Sequence, residues 1–214
     1  MKINRSVFEK VKKHNAQILC VTKYWDVGVT KEILDFGLSV YPEIFVGVGE
    51  NRTQQLQLKQ LPRESVHFIG NVQSRQLKEI VRYSSVIHSV SKFTHLTKLD
   101  ALVRLEHLPL QVYLQINVST ESQKGGILPI EFPAFVESLS MIENPGLTVS
   151  GISAIGSGDF SVGDKIKEFK RLKELRDSYL PGTKISAGTS RDYEIALGEG
   201  IDIVRVGNAL IESD

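Results

Sequence analysis

A lysine near the start of the chain directly follows a short apolar run. Lys23 comes after Ile18–Val21 and Thr22, a segment whose branched and apolar residues are typical of a buried strand. At the end of such a strand the amine would be partly desolvated, and nearby cations would further favour its uncharged form. An uncharged amine is the nucleophile that forms a Schiff base with a carbonyl compound. Position alone leaves open that Lys23 is an ordinary solvated lysine.

Two loops late in the chain are built from small residues. Ser186–Ser190 and Gly207-Asn208 each come at the end of a short apolar run. Small side chains let backbone N–H groups approach an anion, and helix N-termini attract it. The two loops therefore favour a phosphate site. The alternative is that Ser190 and Asn208 are N-caps, a role that is compatible with phosphate binding.

The elements that would position these residues form a repeating pattern. Short β-rich runs alternate with amphipathic stretches in which apolar residues lie three or four apart, such as Ile166, Phe169, Leu172 and Leu175. This alternation predicts parallel strands joined by helices, and eight units of roughly 27 residues predict a small (β/α)₈ barrel. A doubly wound open sheet is the alternative, although no Gly-x-Gly-x-x-Gly fingerprint follows the first run. The eight predicted strands are Ile18–Val21, Ile44–Val48, Val66–Ile69, Val86–His88, Val112–Val118, Thr148–Ile152, Lys184–Ser186 and Ile203–Val206.

In a barrel of this kind the active site lies at the carboxyl ends of the strands. Lys23 and both small-residue loops follow predicted strands, so the pattern places them on one rim. Because every loop is polar, this placement alone is weak support for a site. The barrel is nevertheless the element that would bring the lysine and the phosphate loops together.

Composition limits the classes of function. The 214 residues carry a formal net charge of +1, with 41% hydrophobic and 24% charged residues, which gives no electrostatic reason to expect binding to nucleic acid or membrane. The charged N-terminus resembles no signal peptide, and no apolar stretch approaches the roughly 20 residues of a membrane span. Cys20 is the one cysteine, so it forms no internal disulfide and is expected to be a buried small hydrophobe. We expect a cytoplasmic monomer in which residues 1–214 form a single domain.

An ordered set of short motifs resembles one known family. The sequence is similar to the pyridoxal phosphate homeostasis proteins, whose barrel is related to the N-terminal domain of alanine racemase. The motifs come in the family's order and span nearly the whole chain. They are Val21-Thr22-Lys23, Gly49-Glu50-Asn51, His67–Gly70 with Gln73, Asn117-Val118-Ser119, Ser122-x-Lys124-x-Gly126, Gly151 with Ala154-Ile155, Ser186-x-Gly188-x-Ser190-x-Asp192 and Arg205-Val206-Gly207.

The resemblance implies pyridoxal 5′-phosphate (PLP) as the cofactor and assigns roles around its ring. Lys23 matches the lysine that forms the Schiff base, and Asn51 would lie beside the ring. Arg205 would face the pyridine nitrogen. Because arginine stays protonated in proteins, it would disfavour protonation of that nitrogen and weaken the ring as an electron sink.

The resemblance also assigns the phosphate. Ser186 and the backbone of Gly207 and Asn208 would hold it, with the Gly188 loop beside them. His67 and His88 are expected in core or supporting roles. Lys124 lies in a glycine-rich loop; its default role is a solvated lysine, and cofactor delivery or substrate contact is the alternative.

Two functions of different classes follow. The first is a carrier or homeostasis factor that binds PLP reversibly and can pass it to PLP-dependent apo-enzymes, without strong catalytic turnover. The second is a small enzyme such as an amino-acid racemase, which needs a base on each face of the substrate carbanion. The chain ends at Asp214 without the second domain that supplies this base in alanine racemase, and none of the six tyrosines can be assigned to the opposite face. We favour the carrier; a cofactor-free phosphate-binding barrel is a third possibility.

Overall fold

Eight parallel strands close into a barrel. The computed structural model describes residues 2–119, 125–154 and 161–212. In these ranges each strand pairs with the next along the chain, and β8 pairs back with β1. The predicted (β/α)₈ barrel is thereby confirmed, and the open doubly wound sheet is excluded because every strand has a neighbour on both sides and the sheet has no edge. The strands are β1 Gln17–Val21, β2 Phe45–Glu50, β3 Val66–Phe68, β4 Val86–Val90, β5 Leu110–Ile116, β6 Leu147–Ala154, β7 Lys184–Ser186 and β8 Ile203–Val206.

The predicted strands are all present, and six of the eight differ from the predicted bounds by one or two residues at an end. Differences of two residues occur at both ends of β5, which runs from Leu110 to Ile116, and at the carboxyl ends of β2, β4 and β6, which continue through Glu50, Val90 and Ala154. These extensions include polar residues that a search for apolar runs assigns to loops. Ser89 and Ser153, for example, are buried within strands.

Helices surround the barrel. They are α1 Arg5–Lys13, α2 Val27–Val40, α3 Thr53–Lys59, α4 Leu77–Tyr83, α5 Phe93–Glu106, α6 Phe132–Ser138, α7 Val162–Tyr179 and α8 Tyr193–Gly198. The apolar stripe predicted along α7 is confirmed, since Phe169, Leu172 and Leu175 are buried against the strands. After β8 the expected helix is a single 3₁₀ turn at Asn208–Leu210.

The apolar core has two parts. The larger part lies between the outer face of the barrel and the helices, as the alternation of strands and helices requires. A smaller cluster fills the inside of the barrel, where Leu19, Val86, Tyr113 and Ile203 meet. The interior is therefore packed with side chains, and a ligand can enter only at its rim.

Gly151 marks an irregularity where β6 passes its neighbours. The register between β5 and β6 shifts by one residue between Val112 and Tyr113, and Tyr113 pairs with Gly151. Gly151 has a φ of 155°, and a Cβ there would lie 1.8 Å from the carbonyl oxygen of Lys184 on β7. The close approach of β6 to β7 at this point therefore requires glycine.

We predict that Gly151→Ala lowers the free energy of unfolding by about 2–4 kcal/mol, because the new methyl group overlaps backbone that cannot move freely. Urea denaturation followed by circular dichroism measures the change. Gly163→Ala is the matched control: a Cβ there meets only the Ser161 hydroxyl, at 3.7 Å, in the first turn of α7. Alanine should be neutral or slightly stabilising at this helical position. Equal stability of the two variants would contradict the prediction.

Candidate functional site

A cavity of about 360 Å³ opens at the carboxyl-terminal rim of the barrel. Its wall comes from the segments after β1, β3, β7 and β8 together with the last residues of β1 and β8. The lining residues are Val21, Lys23, Tyr24, Trp25, Ile69, Thr189, Ser190, Arg191, Arg205, Gly207 and Asn208. Four of the seven residues predicted to bind a cofactor lie in this wall: Lys23, Arg205, Gly207 and Asn208.

Lys23 lies in the turn between β1 and α2 and is half-buried. Its ammonium nitrogen is 4.9 Å from the centre of the Tyr24 ring, within the range of a cation–π contact. The turn is held at both ends. Thr22 N–H donates to the Gly49 carbonyl (3.1 Å), and Asp26 caps α2 by accepting from Val29 N–H (2.9 Å). The Lys23 side chain therefore departs from a short backbone segment that hydrogen bonds fix at the cavity wall.

Arg205 supplies a buried cation. Only 6% of its surface is exposed, and its guanidinium donates to the Ala154 carbonyl. Its Nε has no hydrogen-bond partner within the described ranges. Burial lowers the pKa of Arg205 to about 10, so the group remains protonated at neutral pH. A charged donor with an unused N–H at a cavity wall favours an acceptor atom on a ligand.

The segments after β7 and β8 are tied to each other. Ser190 Oγ accepts a hydrogen bond from Gly207 N–H (3.0 Å), which joins the two loops directly. Asp192 Oδ1 accepts from both the N–H (2.6 Å) and the hydroxyl (2.9 Å) of Thr189. The other oxygen of Asp192 lies 3.3 Å from the ammonium of Lys165 on α7. These bonds set the shape of the loop before any ligand arrives.

The alternative that Ser190 and Asn208 are helix N-caps is wrong. Helix α8 begins at Tyr193 with Asp192 at the cap position, and the Ser190 hydroxyl is bound to Gly207. Asn208 is the first residue of the 3₁₀ turn and caps nothing. Because Gly207 N–H is used by Ser190, the N–H groups left for an anion are those at the start of the turn, beginning with Asn208.

Three predicted residues are not brought to the cavity. Ser186 is fully buried inside the barrel, where its hydroxyl lies 2.9 Å from Nδ1 of His88. Gly188 has a φ of 83°, and a Cβ there would lie 2.6 Å from Cβ of Ala196, so this glycine lets the loop approach α8. Asn51 follows β2 and is half-buried. A Cβ on Gly70 would lie 2.1 Å from the Asn51 carbonyl oxygen, so the two backbones pass close to each other. None of the three lines the cavity in the described structure.

The interior below the rim holds a chain of neutral polar groups. His67 Nδ1 lies 2.8 Å from His88 Nε2, and the His88 ring stacks on Tyr113 with centroids 4.5 Å apart. Burial lowers the pKa of His67 to about 4, and burial together with His67 and Arg205 lowers that of His88 well below its usual value. Both histidines are therefore uncharged at neutral pH. Both side chains are buried in the barrel interior beneath the site, which agrees with the core role that the sequence predicted.

The sequence analysis did not identify several residues of the cavity wall, among them Tyr24, Trp25 and Ile69. A signal for the first two exists, because two aromatic side chains directly after Lys23 at a strand end are unusual for a solvated loop. Arg191 is exposed and carries no comparable signal. Lys124 and the segment 155–160 lie outside the described residues.

The described ranges also bear on two other kinds of site. Within 2–119, 125–154 and 161–212, histidine, cysteine and carboxylate side chains do not gather in a group that could bind a metal. In those same ranges the helices are too short or too polar to cross a bilayer. What the cavity offers is an amine, a buried guanidinium and a small-residue turn, which together suit a small anionic carbonyl compound.

Solved structures share this architecture. PipY of Synechococcus elongatus, solved without PLP, superposes with a TM-score of 0.79 over 95% of this chain and 99% of that one, at 24% identity. The same protein with PLP bound also gives a TM-score of 0.79, at 23% identity. Alanine racemase of Clostridium difficile gives 0.70 at 13% identity, covering 98% of this chain and 60% of that one. These likenesses show the fold.

Sequence comparison shows the family. The alanine racemase N-terminal domain family matches residues 6–213. A pyridoxal phosphate homeostasis protein of Pseudomonas aeruginosa is 33% identical over 90% of this chain and 82% of its own length. The protein of that name in Aquifex aeolicus is 30% identical over 91% and 86%. With its closed eight-stranded barrel and a lysine at the end of β1, this chain belongs to the alanine racemase N-terminal domain family and, within it, to the pyridoxal phosphate homeostasis proteins.

Proposed function

We propose that this protein binds PLP as a Schiff base on Lys23 and acts in PLP homeostasis or carriage. The observation that carries the proposal is that Lys23, Arg205 and the turn at Gly207-Asn208 face one cavity. The names of the relatives and the PLP-bound structure of PipY support the same ligand. PLP supplies an aldehyde that reacts with amines and a ring that can accept electrons.

The cavity fits this ligand on three grounds. Its volume of about 360 Å³ falls within the roughly 300–1,000 Å³ of small-molecule sites. The buried Nε of Arg205, which lacks a partner in the described structure, can donate to the pyridine nitrogen. The first N–H groups of the 3₁₀ turn at Asn208–Leu210 and the Arg191 side chain beside it can meet the phosphate.

The roles of the remaining predicted residues follow from this arrangement. The N–H of Asn208 would bind phosphate, whereas Gly207 and Ser190 would keep the turn in place. Gly188 would act through the shape of the loop. Ser186 and Asn51 would reach the ligand only after a rearrangement, so we assign neither to direct contact.

A carrier fits the electrostatics of this site better than a racemase does. Arg205 is buried and charged, so it opposes protonation of the pyridine nitrogen and with it the stabilisation of a carbanion. The tyrosine that lines the cavity in the described structure is Tyr24, which lies on the same loop as Lys23. Tyr24 therefore does not supply a second base on the opposite face of the substrate carbanion. We further propose that the protein works as a cytoplasmic monomer that passes PLP to apo-enzymes.

The first test of the proposal concerns Lys23. Purified protein with added PLP should absorb near ~420 nm as a protonated Schiff base. Borohydride reduction followed by peptide mapping should find the label on Lys23, and Lys23→Ala should lose both the band and the label. Lys31→Ala, on the exposed side of α2, is the matched control and should keep both. A label on another lysine with undiminished binding by Lys23→Ala would overturn the proposal.

The phosphate is tested by comparing two ligands. Pyridoxal, which lacks the phosphate, should bind on the order of 100-fold more weakly than PLP, because charge-assisted hydrogen bonds to the turn are lost. Titration monitored by absorbance gives both dissociation constants. Asn208→Ala keeps the backbone N–H and should retain most of the difference. Equal affinities for the two ligands would mean that the turn does not bind phosphate.

Carrier and enzyme are separated by turnover. We predict racemisation of alanine slower than about 10⁻² s⁻¹, far below the roughly 10 s⁻¹ of a median enzyme. PLP should nevertheless pass to an apo-enzyme acceptor in the same preparation. Chiral chromatography after long incubation with L- and D-alanine, run beside the transfer assay, measures both. Racemisation at ordinary enzymatic rates that disappears in Lys23→Ala would make this protein a catalyst.

A further inference from the structure

A buried ion pair lies directly behind the segment that carries Lys23. The ammonium of Lys59 is 2.6 Å from Oε1 of Glu50, and both side chains are 1% exposed. The same ammonium donates to the carbonyl of Thr22 (2.8 Å), and the Thr22 hydroxyl donates to Glu50 Oε1 (2.5 Å). Glu50 ends β2, Lys59 ends α3, and Thr22 follows β1. Three elements therefore meet at one peptide group.

That peptide group is the one that begins Lys23. The Thr22 carbonyl belongs to the amide that joins Thr22 to Lys23, and it also accepts from Trp25 N–H (2.9 Å). Thr22 N–H is bound to the Gly49 carbonyl, so every polar group of Thr22 is fixed. A displacement of Lys59 or Glu50 would move the backbone from which the Lys23 side chain departs.

Stability alone is a poor explanation for this pair. Burying two charges costs desolvation energy that their attraction often fails to recover, and apolar replacements of similar volume are often as stable. Here the pair is also incompletely satisfied, because Glu50 Oε2 is buried without a hydrogen-bond partner in the described part of the chain. The Thr22 carbonyl already has Trp25 N–H as a donor, so it does not need an ammonium. Departures from good packing of this kind concentrate at functional sites.

We propose that Glu50 and Lys59 are positioning residues for Lys23, which set the place of its amine at the cavity wall. The inference rests on the proposed function, in which the Lys23 nitrogen bonds to the aldehyde carbon of PLP. In that step the two amine protons and the aldehyde oxygen leave as one water molecule. The pair contributes nothing to the ring or the phosphate, because neither Glu50 nor Lys59 lines the cavity.

The test compares two ligands that differ only at the reacting carbon. Pyridoxine 5′-phosphate has the ring and the phosphate of PLP, but its alcohol forms no Schiff base. In the variant Glu50→Gln/Lys59→Met, which removes both charges and keeps the volume, binding of pyridoxine 5′-phosphate should equal that of the wild type. The rate at which PLP forms the Schiff base, followed by stopped-flow absorbance, should fall about 10- to 100-fold, the cost of misplacing a reacting group by about 1 Å.

Leu99→Ala is the control for a general loss of stability. Leu99 is fully buried on α5, and the hydrogen bonds of Thr22, Glu50 and Lys59 go to other elements, so its loss destabilises the fold without releasing Thr22. This variant should form the Schiff base at the wild-type rate. Urea denaturation of all three proteins shows that each is folded under the assay conditions.

The outcomes separate this inference from the one on which it rests. If the wild type is not labelled at Lys23 by borohydride, the proposed function fails and the positioning role fails with it. If the wild type is labelled but the double variant reacts at the same rate, only the positioning role is wrong. Equal weakening of both ligands in the double variant would also overturn it, because a general distortion of the cavity would then explain the effect.

Discussion

The pairing of β1 with β8 is the contact on which the candidate site depends. Leu19 and Cys20 on the first strand lie opposite Arg205 and Val206 on the last, so two segments nearly 190 residues apart become neighbours. Parallel pairing also brings their carboxyl ends to the same rim. Lys23 follows one of these strands, and the turn at Gly207-Asn208 follows the other. In the doubly wound alternative the first strand lies in the middle of the sheet and is not paired with the last strand.

Buried charge gathers near this rim, on the side of the carboxyl strand ends. Arg205 faces the cavity, Glu50 and Lys59 lie behind the Lys23 turn, and Lys165 contacts Asp192 behind the loop after β7. Such groups lose hydration on folding, and their attraction repays that loss only where the geometry is good. Each of these contacts fixes a segment that borders the cavity. The rim is thus preorganised by polar contacts, whereas the rest of the barrel relies on apolar packing.

Preorganisation suits a protein that binds a reactive aldehyde. The Lys23 amine that we propose as the nucleophile would lose little further freedom on reaction, and the turn that we propose binds the phosphate would avoid the entropic cost of ordering a loop. The neutral chain formed by His67, His88 and Ser186 continues the polar contacts below the rim without adding charge. Arg205 therefore remains the one buried cation that the described structure presents to the cavity itself.

The sequence by itself determined the architecture and the position of the amine. Strand and helix periodicities are local, so eight β-rich runs and the stripe along α7 could be identified without any knowledge of contacts. Lys23 could be placed at a strand end because Ile18–Val21 precedes it directly. The glycine and serine loops after β7 and β8 were visible for the same reason.

Only the tertiary structure decided which way side chains point and which charges meet. Ser186 was predicted to end the seventh strand and to bind phosphate, but its side chain lies inside the barrel and bonds to His88, because successive side chains of a strand point to opposite faces. Ser190 does not cap α8: its hydroxyl accepts from the N–H of Gly207 at another strand end, and Asp192 occupies the cap position. Lys59 looks like a surface lysine at a helix end until β2 and the turn after β1 surround it. Each of these outcomes depends on a partner far away in the sequence, and such a partner leaves no local pattern.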